Sequence, residues 1–265
     1  MTLLSRISGL VRDIALAYLF GASAAADLFF VAFRVPNFFR RLFAEGAFNQ
    51  AFVPVLMEYK AKGQSELRLF LGQLSGVFAL TLTLVVIAGL AFAGPLAALF
   101  APGFIGQPRL FTQLTELVLI TFPYLGFISL TAYAGALLNA HGRFALPALT
   151  PVMLNVCLTL AALLGLMGHL QTPPIVILAW SVLVAGILQC SIQLPSLARL
   201  HLLPKPVVST SHPGMKQVGQ MLVPAIFSAS VGQINALVNT MIASTLATGS
   251  IAWLYYADRL LELPV

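Results

Sequence analysis

Residues 27–62 read DLFFVAFRVPNFFRRLFAEGAFNQAFVPVLMEYKAK, and the interpretation of the whole chain turns on them. The first half is apolar and aromatic enough for lipid, yet it carries Asp27, Arg34, Arg40 and Arg41. Asp27, Arg34 and Arg41 recur at about two helical turns, so they share one face of a helix. Leu28, Phe29, Val31 and Phe33 fall mostly on the other faces, where lipid or neighbouring helices can meet them. In the second half Phe48, Phe52, Leu56 and Tyr59 share one side, with Asn49, Gln50, Glu58, Lys60 and Lys62 largely off it. That pattern predicts a helix lying in the headgroup layer. A membrane helix with a charged stripe needs a polar cavity to face.

Composition sets the medium. The chain is 59% apolar and 8% charged, with a mean hydropathy of +0.95, which marks an all-α polytopic membrane protein. Its net charge of +6 is spread singly between apolar spans, so it reflects orientation and no nucleic-acid partner is expected. Cys157 and Cys190 lie inside apolar runs without CxxC spacing and read as small buried hydrophobes. Arg6, Arg12 and Asp13 interrupt the first apolar run, which is unlike a cleavable signal peptide.

Outward from residues 27–62, the expected spans are 3–20, 25–43, 69–100, 117–138, 144–168 and 174–198. The third is broken by Gly94-Pro95, and the turn between the last two is His169 to Pro174. No Asp, Glu, Lys or Arg occurs between Phe144 and Ala198. A polar connection, 199–216, leads to a seventh span in the uncharged run from Gln217 to Ala257, with Ala247 to Ser250 as its closing turn. The first span is short and the eighth stops before it could cross, so a chain cut from a longer protein is expected. Residues 1–198 would form one lobe, 199–216 a cytoplasmic linker and 217–265 the start of a second lobe.

Loop charge gives the orientation. Nine basic residues (Arg40, Arg41, Lys60, Lys62, Arg68, Arg143, Arg199, Lys205 and Lys216) follow even-numbered spans, against Arg109 alone after odd-numbered ones. The positive-inside rule then puts the N-terminus in the cytoplasm. An offset of 225 residues aligns Ala32 with Ala257, Arg34 with Arg259 and Phe30 with Tyr255. Parallel six-helix repeats of that kind are a transporter plan.

Eight charges remain at membrane depth: Arg6, Arg12, Asp13, Asp27, Arg34, Asp258, Arg259 and Glu262. Each costs about 3 kcal/mol at a helix centre on insertion scales, so facing lipid would be wasteful. One reading is structural ion pairing, Arg6 with Asp13 and Arg259 with Glu262. The other is a water-filled cavity lined by spans one, two and eight, with Arg40 at its cytoplasmic rim and more arginine than acid can neutralise. Guanidinium forks suit phosphate, and a cationic cavity implies an anionic ligand. GxSxG, HExxH, P-loop, dinucleotide and acidic-cluster signatures are missing, and no histidines pair at ligand spacing. Neither an enzyme, a metal nor a cofactor is expected.

Three segments resemble a known family. SRISGLVRDIALAYLFGASAAADLFFVAFRVPNFFRRLFAEGAFNQAFVPVLMEYK (5–60), LLNAHGRFALPALTPVMLN (137–155) and WLYYADRLLELP (253–264) are similar to the MurJ (MviN) family of bacterial lipid II flippases. RRLFAEGAF and YYADR are the most specific pieces. The family lies within the superfamily of multidrug, oligosaccharidyl-lipid and polysaccharide exporters. The resemblance implies fourteen helices, in two six-helix lobes and a C-terminal pair that grooves the lipid tail. This chain would hold the first lobe and roughly two helices of the second. It implies substrate-binding arginines at Arg6, Arg12, Arg40 and Arg259, a cavity aspartate at Asp27, and a cytoplasmic gate at Glu45 near Ser5. Arg34 stands where some relatives have lysine; with Asp258 and Glu262 it is a further cavity candidate. Lipid II and membrane lipid are the implied partners, in the bacterial inner membrane, and without the tail groove the chain is not expected to transport by itself. Rival readings are another exporter of the superfamily, a magnesium-dependent polyprenyl-phosphate transferase and a non-transporting scaffold.

Overall fold

The computed structural model describes residues 2–42, 47–168 and 171–261, and among them every regular element is helical. In order these are α1 Thr2–Phe20, α2 Ala24–Phe39, α3 Ala47–Lys62, α4 Gln64–Ala91, α5 Ala93–Phe100, a 3₁₀ turn Pro102–Phe104, α6 Pro108–Thr121, α7 Tyr124–Ala140, α8 Ala145–Met167, α9 Pro174–Ser191, α10 Leu194–Arg199, α11 Pro213–Ser244 and α12 Ser250–Leu261. Glu45, Glu262 and the His169 turn lie outside the described residues. Among the described residues five stretches are long and apolar enough to cross a membrane: Gln64–Ala91, Pro108–Ala140, Ala145–Met167, Pro174–Arg199 and Pro213–Ser244. The fold is that of a multi-pass all-α membrane protein.

Proline chemistry explains where the helices break and how the breaks are repaired. The expected interruption at Gly94-Pro95 falls slightly earlier, at Phe92, because proline is tolerated in the first turn of a new helix but not inside the old one. Within α2, Pro36 has no N–H for the Ala32 carbonyl. The buried Thr121 hydroxyl of α6 donates to that carbonyl at 3.0 Å instead, so the helix continues through its proline. In α8, Pro151 orphans the Pro147 carbonyl and the Thr150 hydroxyl takes it at 2.8 Å.

Helix α2 runs through the middle of the larger core. Leu28, Phe29, Val31 and Phe33 are buried there with Phe100, Phe122 and Tyr124, so these residues meet protein and not lipid. A second core gathers Phe48, Phe52, Leu56 and Tyr59 of α3 with Phe70 of α4 and Leu137 of α7. This corrects the headgroup-layer reading of residues 47–62. Helix α3 is amphipathic as expected, but its apolar face is covered by α4, α7 and α11. An apolar stripe records that a face is hidden from water and not what hides it.

The basic connections come together at one end of the bundle. The Lys60 ammonium donates to the Ala140 carbonyl in the α7–α8 turn at 2.5 Å. The α10–α11 linker lies along α4, where the Val207 N–H donates to the Gly72 carbonyl at 2.9 Å. Gly72 and Gly76 allow that approach: a Cβ at Gly76 would overlap the Val207 backbone, including its nitrogen at 2.7 Å. The linker ends at His212, which is nearly buried between Tyr59 and Phe70; its Nδ1 accepts the Gly214 N–H and caps α11.

Candidate functional site

A cavity of about 840 Å³ opens between α1, α7, α8 and α12, with Arg40 of α2 at its edge. That volume is within the usual range for ligand sites. Ser5, Arg6, Arg12, Asp13, Arg40 and Arg259 all line it. Among the described lining residues four arginines face one aspartate, so that part of the lining is cationic.

Arg12 is its fixed centre. The side chain is 4% exposed and sits in a full set of acceptors. Its Nε and Nη2 donate to Asp13 Oδ1 at 2.8 and 2.6 Å, its Nη1 to Asn155 Oδ1 at 2.8 Å, and its Nη2 also to the Tyr255 hydroxyl at 2.9 Å. Asn155 is oriented in turn, donating from Nδ2 to Ser8 Oγ at 3.0 Å and to the Ser5 carbonyl at 3.3 Å. Asp13 also reaches Arg259, whose Nε lies 3.7 Å from its Oδ2, and the Arg259 guanidinium rides over the Tyr255 ring at 5.6 Å. Asp13 therefore pairs with Arg12 and Arg259, and the proposed Arg6–Asp13 structural pair does not form. A buried cation held this way is costly to isolate and rigid once satisfied.

The charged stripe of α2 divides into three environments. Arg41 is exposed. Arg34 is half-buried in a smaller cleft of about 210 Å³ shared with Arg12, Arg40, Asp258 and Arg259. It donates to the Thr240 hydroxyl of α11 and lies 3.9 Å from Asp258. Arg40 donates from Nε to Asn37 Oδ1 at 2.9 Å.

Asp27 is not in the cavity lining, contrary to expectation. It is 2% exposed, with its carboxylate against the start of α12, accepting the N–H of Gly249 at 2.6 Å and of Ala252 at 2.8 Å. The reason is local: the first turn of a helix has N–H groups with no partner in the helix and a partial positive charge, both answered by a carboxylate. Beside it Ser244 Oγ accepts the Gly103 N–H at 3.1 Å, and Gly249, at φ 94°, packs on the Ala22 carbonyl. The end of the bundle opposite the basic linkers is thus laced shut.

Helices α2 and α12 also meet through their counterparts under the 225-residue offset. Phe30 stacks on Tyr255 with ring centroids 4.0 Å apart.

Sequence reasoning missed the neutral polar members. Asn155, Thr150 and Gln189 line the cavity, and all three lie in the uncharged run 144–198. Their signal was available, since an amide in an otherwise apolar helix also needs a partner.

This arrangement has relatives. The family described as Lipid II flippase MurJ matches residues 16–265. A Vibrio cholerae protein named "Probable lipid II flippase MurJ" is 46% identical over 273 residues, covering 100% of this chain and 52% of that protein. A Burkholderia cenocepacia protein named "Lipid II flippase MurJ" is 43% identical over 268 residues, covering 99% and 52%. A solved structure described as "Lipid II flippase MurJ, inward closed conformation" superposes with a TM-score of 0.84 at 31% identity, over 99% of this chain and 54% of that one. The chain spans about half the length of these relatives. With a family match running over nearly all of it, the chain belongs to the lipid II flippase MurJ family.

Proposed function

We propose that this chain carries the cationic half of a flippase that moves lipid II, the lipid-linked peptidoglycan precursor, from the cytoplasmic to the outer leaflet by alternating access. The observation that carries the reading is the cavity in which Arg6, Arg12, Arg40 and Arg259 outnumber Asp13. A pyrophosphate brings two negative groups to such a wall. Each charge pair at about 4 Å is worth about 4 kcal/mol at an effective dielectric of 20. Arg12 is preorganised by Asp13, Asn155 and Tyr255, so little entropy is lost when it meets an anion. The undecaprenyl tail would remain in hydrocarbon while the head crosses.

The N-terminus faces the cytoplasm of the bacterial inner membrane in this reading, supported by the clustering of basic linkers at one end. Residues 1–198 serve as the first lobe, 199–216 as the linker and 217–265 as the start of the second lobe. The Asp27–α12 latch closes the outer side, while Ser5, with Glu45, belongs to the cytoplasmic gate. The protein acts as a carrier and no reaction is assigned to it. Ligand shifts the balance of states only through its preference for one of them. A membrane potential also acts on a cationic cavity, at about 2.3 kcal/mol per charge moved through 100 mV.

The test is lipid II appearance on the outer leaflet in cells depending on the protein, with R12A and R259A expressed at matched levels. Both variants should lose most export. Normal export by both would overturn the assignment.

A further inference from the structure

Next to the cationic cavity lies a second chamber of about 680 Å³, between α3, α7, α8 and the α9–α10 junction, sharing Ile128 and Thr150 with it. Its described lining holds no charged side chain. Gln193, in the α9–α10 junction, is 0% exposed and lines this chamber, and neither its Nε2 nor its Oε1 has a hydrogen-bond partner among the described residues. One helical turn earlier Gln189 is 1% exposed and lines the cationic cavity. Its Nε2 donates to the Thr150 carbonyl at 2.6 Å, and its Oε1 has no partner among the described residues. The two amides form a short rail leading from the arginines into the uncharged chamber.

We propose that this chamber is a subsite for a secondary amide of the cargo, with Gln193 as its reader. The inference rests on the flippase reading and extends it from the anionic part of the head to the neutral part. A buried amide without a partner is destabilising, whereas leucine would fill the same volume at no such cost. The partner of Gln193 therefore comes from outside the described residues. A primary amide offers one acceptor and two donors, which match the N–H and C=O of a secondary amide. A phosphate would find no countercharge here, and an aliphatic tail would leave the glutamine unpaired. Lipid II presents secondary amides from two sources, the acetamido groups of its sugars and its peptide bonds. Gly135 lies beside Gln193 in the chamber wall, where a Cβ would stand 3.7 Å from Oε1, so a larger residue there crowds the subsite.

The experiment measures binding to the membrane-embedded protein in nanodiscs with three probes. These are undecaprenyl pyrophosphate, the same lipid bearing one N-acetylated sugar and no peptide, and the complete disaccharide-peptide lipid. Q193L and G135L should weaken the amide-bearing probes about tenfold, the worth of one or two hydrogen bonds, and leave bare pyrophosphate binding unchanged. A loss already present with the single sugar assigns the acetamido group; a loss confined to the complete lipid assigns the peptide. The Q193L protein should melt no lower than wild type. Unchanged binding of all three probes by Q193L, equal weakening of all three, or a lowered melting temperature would each overturn the subsite. Bare pyrophosphate binding that survives R12A would instead overturn the flippase reading, whatever Gln193 does.

Discussion

Replacing Asp27 by asparagine tests the latch between α2 and α12 directly. The wild-type carboxylate gives one oxygen to Gly249 N–H at 2.6 Å and the other to Ala252 N–H at 2.8 Å, in a site 2% exposed. Asparagine keeps one acceptor and turns an NH₂ toward the remaining N–H, so one charge-assisted bond is lost, along with the charge that answers the α12 dipole. A hydrogen bond to a charged group is worth about 2 kcal/mol, which is about a thirtyfold change in the ratio of docked to undocked α12. The assay is amide hydrogen exchange of the protein in nanodiscs. The Gly249 and Ala252 amides should lose about thirtyfold of protection in D27N and more in D27A, in line with that bond energy. The Val207 amide, on the linker at the other end, should be unaffected. Unchanged protection at Gly249 and Ala252 in a folded D27N protein would refute the idea that this carboxylate holds α2 to α12.

In G76A the added methyl overlaps the Val207 backbone, so exchange at the Val207 amide should accelerate at least tenfold, while G94A, with nothing within 4 Å of the new Cβ, should leave it unaltered. T121V removes the hydroxyl that serves the Ala32 carbonyl beneath Pro36, and should destabilise the protein by about 1–3 kcal/mol, the cost of an unsatisfied buried acceptor. Thermal unfolding in detergent checks this, with exposed Thr112→Val as the control expected to change little.

The parts of the site that could be read from sequence were those that lipid penalises most. Arg6, Arg12 and Arg259 stood out because a charge in a nonpolar span must face something polar, and all three line one cavity. Asp27 was grouped with them for the same reason, and the structure separates it. Spacing gives the face on which a charge lies, but the neighbouring α12 terminus that claims it comes from residues 222 and 225 positions away. Asp13 shows the same limit, since its partners Arg12 and Arg259 could not be chosen over Arg6 without knowing how α12 lies against α1. Gln189 and Gln193 were passed over because a neutral amide carries a weaker penalty than a charge and so makes a fainter mark on the hydropathy pattern. Helix α3 was assigned to the membrane surface because amphipathic spacing is identical whether acyl chains or protein cover the apolar side.

The extended linker pinned along Gly72 and Gly76 bears on how α11 is anchored to the helices before it. A connection of this length would ordinarily be a slack tether, leaving the helix that follows free to take many orientations. Here the chain is fastened to α4 as far as His212, whose ring is wedged between Tyr59 and Phe70 and caps α11. The slack has been taken up before α11 begins. Helix α11 therefore starts from a fixed point at Pro213 and runs 32 residues to Ser244, beside the α2–α12 latch.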